Sequence, residues 1–332
     1  MPDAVVTSLA YPNYSGLLFR KGNASTPFST LIGGKGYTTN HNEFAVGVFY
    51  DTPVASTQPA ISEEASLTAP DALAVKRSQQ VNTTQIFQDS FALSYAKQSN
   101  MGSLAGLNVA GQQANPIDEK AFQAEKAMER VAQSVEYTFI NGEYQKATSD
   151  KVANKTRGIL NAITTNVIAA GGKELGYWLF MEALKSISEQ TGETTELAAL
   201  LNPIHIQQVQ KDAQENGIKV YNNGETMNGI AVSKIITPFG TINLAPGKYL
   251  PNDTALVFNP TICAPVFQDT PGKGNFFAEE LAKTGAGEKF QIFGQAGLDY
   301  GAEFAHAKIT GLKTTFTAPE NGVLTRSATA EG

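Results

Sequence analysis

The side chains able to do covalent or acid–base chemistry in this chain are few and scattered. Cys263 is the single cysteine, and the histidines are His41, His205 and His306. A thiol becomes a nucleophile when a neighbouring base takes its proton, so Cys263 with His205 is the pairing to weigh. Cys263 stands inside the apolar run LVFNPTICAPVF, the setting of a small buried hydrophobe. His205 follows Pro203 in the first turn of a predicted helix, which suits a capping or surface role. His306, in FAHAKI, alternates along a predicted strand. One cysteine excludes an intrachain disulfide and a zinc site of several thiolates. No HExxH, CxxC or GxSxG occurs, which leaves zinc and serine hydrolysis without an anchor. TPGKGN (270–275) and GGKG (33–36) miss the spacing of a phosphate loop, and KTGAGEKF misses the GxGxxG register, so each reads as a turn. The carboxylate pairs Glu63–Glu64, Asp118–Glu119 and Glu279–Glu280 are adjacent in sequence and point in different directions. Lys76–Arg77 and Arg20–Lys21 are too short for a nucleic-acid surface. No catalytic residue, cofactor-binding residue or metal ligand is assigned.

What remains is architecture. The 332 residues are 42% hydrophobic and 17% charged, with a net charge of −6. That length suggests about two domains, and that charge draws the chain to neither nucleic acid nor an anionic membrane. No run reaches the ~18 apolar residues of a membrane helix. The start, MPDAVVTSLAYPNYSGLLF, has no basic segment followed by an apolar one. No cleaved secretory signal is therefore expected, and a reducing cytoplasm is the expected place of folding.

The most informative element is NPIDEKAFQAEKAMERVAQSVEYTFINGEY, 115–144. Asn115 suits an N-cap and Pro116 the first helical position, while Asp118 and Glu119 complement the helix dipole. Phe122, Met128, Val131, Val135 and Phe139 recur at helical spacing up to Gly142. Such a helix, roughly 40 Å long, suits a beam in a thin subunit. Ahead of it, 1–40 reads as an extended arm broken by Pro2, Pro12 and Pro27, yet rich in apolar residues that need a surface to lie on. EFAVGVFYD (43–51) and VNTTQIFQDSFALSY (81–95) read as strands around a polar tip. A ribbon that long gains little from a core of its own. Beyond it, 173–192 and 203–216 read as helices, and 219–221, 231–245, 254–267 and 276–314 carry strands between Gly and Pro turns. The tail 317–332 is polar and lacks periodicity.

In order and extent these parts resemble the HK97-fold major capsid proteins of tailed bacteriophages, with siphophages of Gram-positive hosts as the nearest likeness. The phrases that carry the resemblance run through about 10–316: YSGLLFRKGN, TPFSTLIGG, QPAISEEASLTAP, VNTTQIFQDSFALSY, EYTFINGEYQ, KTRGILNAI and LAKTGAGEKFQIFGQAGLDYGAEFAHAKITGL. The resemblance implies an α+β, HK97-like capsid fold with N-arm, E-loop, P-domain (long spine helix plus β-sheet) and A-domain. By position, 1–42 corresponds to the N-arm, 43–95 to the E-loop, and 96–158 to the first part of the P-domain with its spine helix at 115–141. The A-domain corresponds to 159–258, the second part of the P-domain to 259–316, and a flexible tail to 317–332.

The resemblance further implies a structural protein without enzymatic activity or cofactor. It would assemble in a host bacterial cytoplasm into hexamers and pentamers of an icosahedral virion enclosing double-stranded DNA, with no membrane partner. Scaffolding, portal and decoration proteins are possible partners, and no charged helical scaffolding leader is recognisable. Tyr14, Leu17, Leu18, Phe19, Phe28 and Ile32 of the arm, with Ile61 and Leu67 of the loop, are the residues expected to be covered by neighbouring subunits. Some relatives cross-link through a Lys–Asn bond; Lys76 lies in the loop, but no partner Asn is identifiable. The alternatives are an encapsulin-like shell around cargo enzymes, a soluble enzyme using Cys263, and an adhesin on a host surface.

Overall fold

The computed structural model describes residues 25–33, 36–50, 58–69, 74–96, 119–192, 196–216, 220–221, 226–227, 230–231, 233–283 and 285–316. The helices are α1 (Pro27–Ile32), α2 (Glu63–Ser66), α3 (Glu119–Asn141), α4 (Ile159–Ala162), α5 (Tyr177–Thr191) and α6 (Pro203–Glu215). The first nine strands are β1 (Tyr37–Thr39), β2 (Glu43–Tyr50), β3 (Arg77–Thr83), β4 (Gln85–Ser94), β5 (Val167–Ala169), β6 (Glu196–Leu201), β7 (Val220–Tyr221), β8 (Thr226–Met227) and β9 (Ile230–Ala231). The rest are β10 (Ser233–Thr237), β11 (Gly240–Pro246), β12 (Ala255–Phe258), β13 (Ala264–Gln268), β14 (Phe276–Glu280), β15 (Gly287–Asp299) and β16 (Ala307–Thr310).

Two sheets organise these elements. In the first, β15 pairs with β4 on one side and with β13 and β14 on the other, and β1 extends the sheet beyond β13. In the second, seven strands run in the order β5-β16-β12-β6-β11-β10-β7. The sequence ELAALL of β6 explains its central place. Ala198 and Leu200 face the core shared with α3, while Leu197, Ala199 and Leu201 face the core built on α5 and α6. A strand covered on both faces must be apolar without alternation.

The long helix spans 23 residues, Glu119–Asn141, and packs on β4 and β15. Asn115 and Pro116 lie outside the described residues. Val131 and Phe139 are buried as expected, but Met128 is 55% exposed. The end at Gly142 is set by close approach. A Cβ there would stand 2.4 Å from the Thr156 carbonyl oxygen, and one at Gly158 would stand 2.5 Å from the Gly142 nitrogen. Only two facing glycines let the helix end meet the segment entering α4.

Several expectations are corrected by the structure. Pro27 does not break a helix; it opens α1, where its missing N–H is no loss. The 81–95 run is two strands. Residues 77–83 pair with β2 in a two-stranded ribbon, and 85–94 join β15 in the body. α5 starts at Tyr177 rather than near 173, because Asp212 on α6 accepts the Tyr177 N–H at 2.7 Å and Gln208 holds the Leu175 N–H at 3.0 Å. Near the end of the described chain, β16 pairs with β12 and β5 in the seven-stranded sheet.

Candidate functional site: chemistry tested, surfaces found

Cys263 does not meet His205. It lies against His306, with its Sγ 3.9 Å from His306 Nε2. That ring is already committed, since Nε2 donates to the Tyr300 carbonyl at 2.6 Å and Nδ1 accepts the Asn259 N–H at 3.2 Å. No free lone pair faces the thiol. Burial holds His306 down to about 4, and burial, with the Asp299 charge second, pushes the Cys263 thiol up. A thiolate–imidazolium pair needs both shifts reversed. The neutral ring instead joins the end of β15 to the turn before β13.

His205 is fully buried, which corrects the capping or surface reading. Its ring nitrogens lie 2.9 Å from Gln208 Oε1 and 2.9 Å from the Asn252 carbonyl oxygen. The amide of Gln208 in turn donates to the Lys313 and Thr315 carbonyls, so this cluster ties the last described residues to α6. Among the described residues no group of three or more His, Cys, Asp or Glu is placed to hold a metal ion. The 270–275 segment is a turn whose Lys273 is paired with Glu279. Glu63 and Glu64 are exposed in α2, capped by Ser62. Lys76 is exposed.

Two carboxylates that the sequence did not single out are structural clamps. Glu136 of α3 accepts the N–H groups of Phe28 at 2.7 Å and Ser29 at 2.8 Å, together with the Ser29 hydroxyl at 2.5 Å. It therefore supplies the cap that Thr26 does not. Burial outweighs these bonds and raises its pKa. Glu303 accepts from Thr164 N, Thr165 N and Thr165 Oγ1. Burial pushes Glu303 up, but those bonds together hold it below the ordinary carboxylate value. One adjacent cue was available for the first clamp: TPF at 26–28 is a helix start without a side-chain cap of its own.

The β2–β3 ribbon is fastened at its root. Gly47, at φ +54°, makes the bulge that shifts register between Val46 and Val48. A Cβ there would stand 2.6 Å from the Gly301 carbonyl oxygen. The bulge also explains why Phe44 and Val46 are buried while Tyr50, beyond it, is exposed. Asn82 is buried and uses its whole amide. Nδ2 donates to the Leu298 and Arg157 carbonyls, at 2.8 and 3.1 Å, and Oδ1 accepts the N–H groups of Arg157 and Thr83, at 2.7 and 2.9 Å. Lys146 and Tyr144 hold Glu43, and Phe49 meets Phe304 edge-on. Further out, Ile61 is 72% and Leu67 86% exposed, the opposite of what an isolated protomer gains from such side chains.

Of the arm residues expected to be covered by neighbours, Phe28 and Ile32 are corrected. They are 0% and 7% exposed, packed in the protomer's own core, with Phe28 against Phe258. Tyr14, Leu17, Leu18 and Phe19 lie outside the described residues.

Comparison with known proteins supplies the family. The sequence model of one family, described as "SU10 major capsid protein", matches residues 2–313. The chain belongs to the SU10 major capsid protein family. Its role is thus that of a structural subunit of a phage capsid, and the virion is where the major capsid protein resides. No curated protein matches the sequence significantly. Solved structures share the fold at low identity. The capsid of a native GTA particle matches with TM-score 0.59 and 11% identity, covering 91% of this chain and 95% of that one. The SrpI encapsulin complex of Synechococcus elongatus matches with TM-score 0.57 and 12% identity, covering 86% and 88%. The capsid of Myoviridae phage XM1 matches with TM-score 0.54 and 11% identity, covering 93% and 100%. These likenesses establish the HK97-like fold, which capsids and encapsulins have in common; the family model favours the capsid. Among the described residues no helix is long and apolar enough to cross a membrane.

Proposed function

We propose that the protein assembles in the host cytoplasm into hexamers and pentamers that close an icosahedral head around double-stranded DNA, and that it does so without catalysis. The observation that carries this reading is the ribbon. Its root is fixed by Asn82 and by the Gly47–Gly301 approach, and Ile61 and Leu67 are held out in water. Covering each by a neighbour contributes about 2 kcal/mol of gross transfer energy. Repeated around closed rings, such modest contacts accumulate. Tyr14 of the arm is the proposed second contact. A net charge of −6 suits loose enclosure of DNA rather than tight grip. Separate scaffolding, portal and decoration proteins remain compatible partners.

The test is electron microscopy and mass photometry of purified full-length protein, beside an Ile61→Asp/Leu67→Asp variant. Rings or shells from the parent, and a folded but unassembled variant, are expected. A parent that stays monomeric or dimeric at every concentration would sink the reading. Nuclease-protected DNA inside shells supports a phage head; co-purifying cargo protein in its place would support the encapsulin alternative.

A further inference from the structure

The last residue of α3 carries a latent chemistry of its own. Asn141 closes the helix and is followed by Gly142. In an Asn–Gly step the glycine nitrogen can attack the asparagine Cγ, because no Cβ shields it. The bond from Cγ to the side-chain nitrogen breaks, ammonia leaves, and a cyclic succinimide remains. Water then opens the ring to aspartate or isoaspartate. Ring closure requires a Gly142 nitrogen that has lost its proton and is turned towards the Asn141 side chain.

The junction withholds both conditions. The Gly142 N–H donates to the Thr138 carbonyl at 2.8 Å, and Asn141 Nδ2 donates to the Tyr249 carbonyl at 2.7 Å. Asn161 Nδ2 donates to the Asn141 and Gly142 carbonyls, both at 2.9 Å, and the Gly158 N–H donates to the Gly142 carbonyl at 2.8 Å. Succinimide formation therefore needs the end of α3 to come away from α4 and from the loop that carries Tyr249. Helix ends open locally at lower cost than a core, and Tyr137, which meets Tyr249 edge-on, remains 55% exposed.

Conversion there is one-way. A carboxylate at 141 puts an oxygen where Nδ2 stood, against the Tyr249 carbonyl oxygen. It also adds negative charge at the negative end of the helix dipole, where the last turn holds no basic residue. The 247–253 loop is itself held by Asn202, through the Pro251 carbonyl, and by His205, through the Asn252 carbonyl. Asn141 thus ties α3 to the start of α6, and its loss as an amide cuts that tie.

We propose that Asn141 is a deamidation site gated by this junction, intact while the end of α3 is seated and converted irreversibly once it opens. The gate does not draw on the shell reading. Full-length unassembled subunits are kept in mildly alkaline buffer, folded and in urea, and conversion is read by peptide mass mapping with isoaspartate-specific methylation. In urea, Asn216–Gly217, Asn223–Gly224, Asn228–Gly229 and Asn321–Gly322 calibrate the free rate. Folded Asn141 is expected to convert about a hundredfold more slowly than in urea, and equal rates overturn the gate. Asn161→Ala removes the donor shared by the two carbonyls and is expected to speed folded conversion about tenfold. Tyr137→Ala, at an exposed position, loosens the same junction in case the first variant fails to fold. A rate unchanged in the folded variants overturns the proposal. Asn141→Asp stands for one product and is expected to raise hydrogen exchange at 139–142 and 247–253; exchange equal to the parent overturns the one-way step.

Discussion

Replacing Glu136 by alanine takes away the acceptor that the first two free N–H groups of α1 share. Phe28 is fully buried, so its bare N–H costs about 2 kcal/mol, whereas Ser29 is partly exposed and costs about 1. The sum, about 3 kcal/mol, is reduced because alanine also relieves a carboxylate whose burial is itself unfavourable, as its raised pKa records. A net loss of about 2–3 kcal/mol follows. Glu136→Gln keeps the shape and one acceptor, and should lose about 1 kcal/mol. The assay is the urea midpoint of dissociated full-length subunits, with hydrogen exchange read at 27–32, where alanine should deprotect α1 first. Stability should also depend on pH through this group. Its folded pKa lies above the unfolded value, so between the two the native state binds more protons and stability rises on acidification. Above the folded value this contribution is lost, and Glu136→Gln should lack the slope altogether. Equal losses for alanine and glutamine, or an alanine variant within about 0.5 kcal/mol of the parent, would refute the clamp.

Gly47→Ala forces a left-handed φ on a residue with a Cβ and drives that atom into the Gly301 backbone. A loss of about 2–4 kcal/mol is expected by thermal unfolding, with exchange rising first in β2 and β3. Glu303→Gln should act oppositely to Glu136→Gln in its pH profile. The lowered pKa of Glu303 makes its contribution full above the ordinary carboxylate range and lost as pH falls through the folded value, so the variant should flatten the acid limb of the denaturation curve. Cys263→Ala should cost about 1 kcal/mol through the cavity it leaves and leave assembly intact. The native thiol should resist a disulfide reagent until the chain unfolds.

Periodicity made α3, α5, α6 and most strand runs legible in the sequence, because each buries one face or two against a sheet and the spacing of apolar residues records that. Polar fastening was less legible. Nothing in the spacing of Glu136 says that it reaches α1, more than a hundred residues earlier, and Asn82 looks like any strand-end amide until Leu298 and Arg157 surround it. The burial of Phe28 and Ile32 is hidden from the sequence for the same reason. Their run follows an extended, proline-broken stretch, and only the carboxylate of a distant helix turns PFSTLI inward as a helix. The 81–95 run looked continuous because the pairing partner changes at Thr84 without a turn residue to mark it; the break lies in tertiary pairing, which local propensity does not encode.

α1, at the end of the arm, and the β2–β3 ribbon share a device. The arm is pinned at α1 by Glu136, and the ribbon at β3 by Asn82, each side chain buried and each bonded to backbone groups of other elements. An apolar anchor would consume the surface that a protruding segment needs for its partner, and it would tolerate a range of angles, since apolar burial has no direction. Hydrogen bonds in a dry root fix direction and leave the outer residues free. A capsid subunit, which meets identical copies, suits that separation: polar groups set the direction of the segment, and outer apolar groups such as Ile61 and Leu67 stay exposed on it. The same device recurs inside the body, where the buried groups Glu303 and His306 also bond to backbone groups of other elements, Glu303 to Thr164 and Thr165 and His306 to Tyr300 and Asn259.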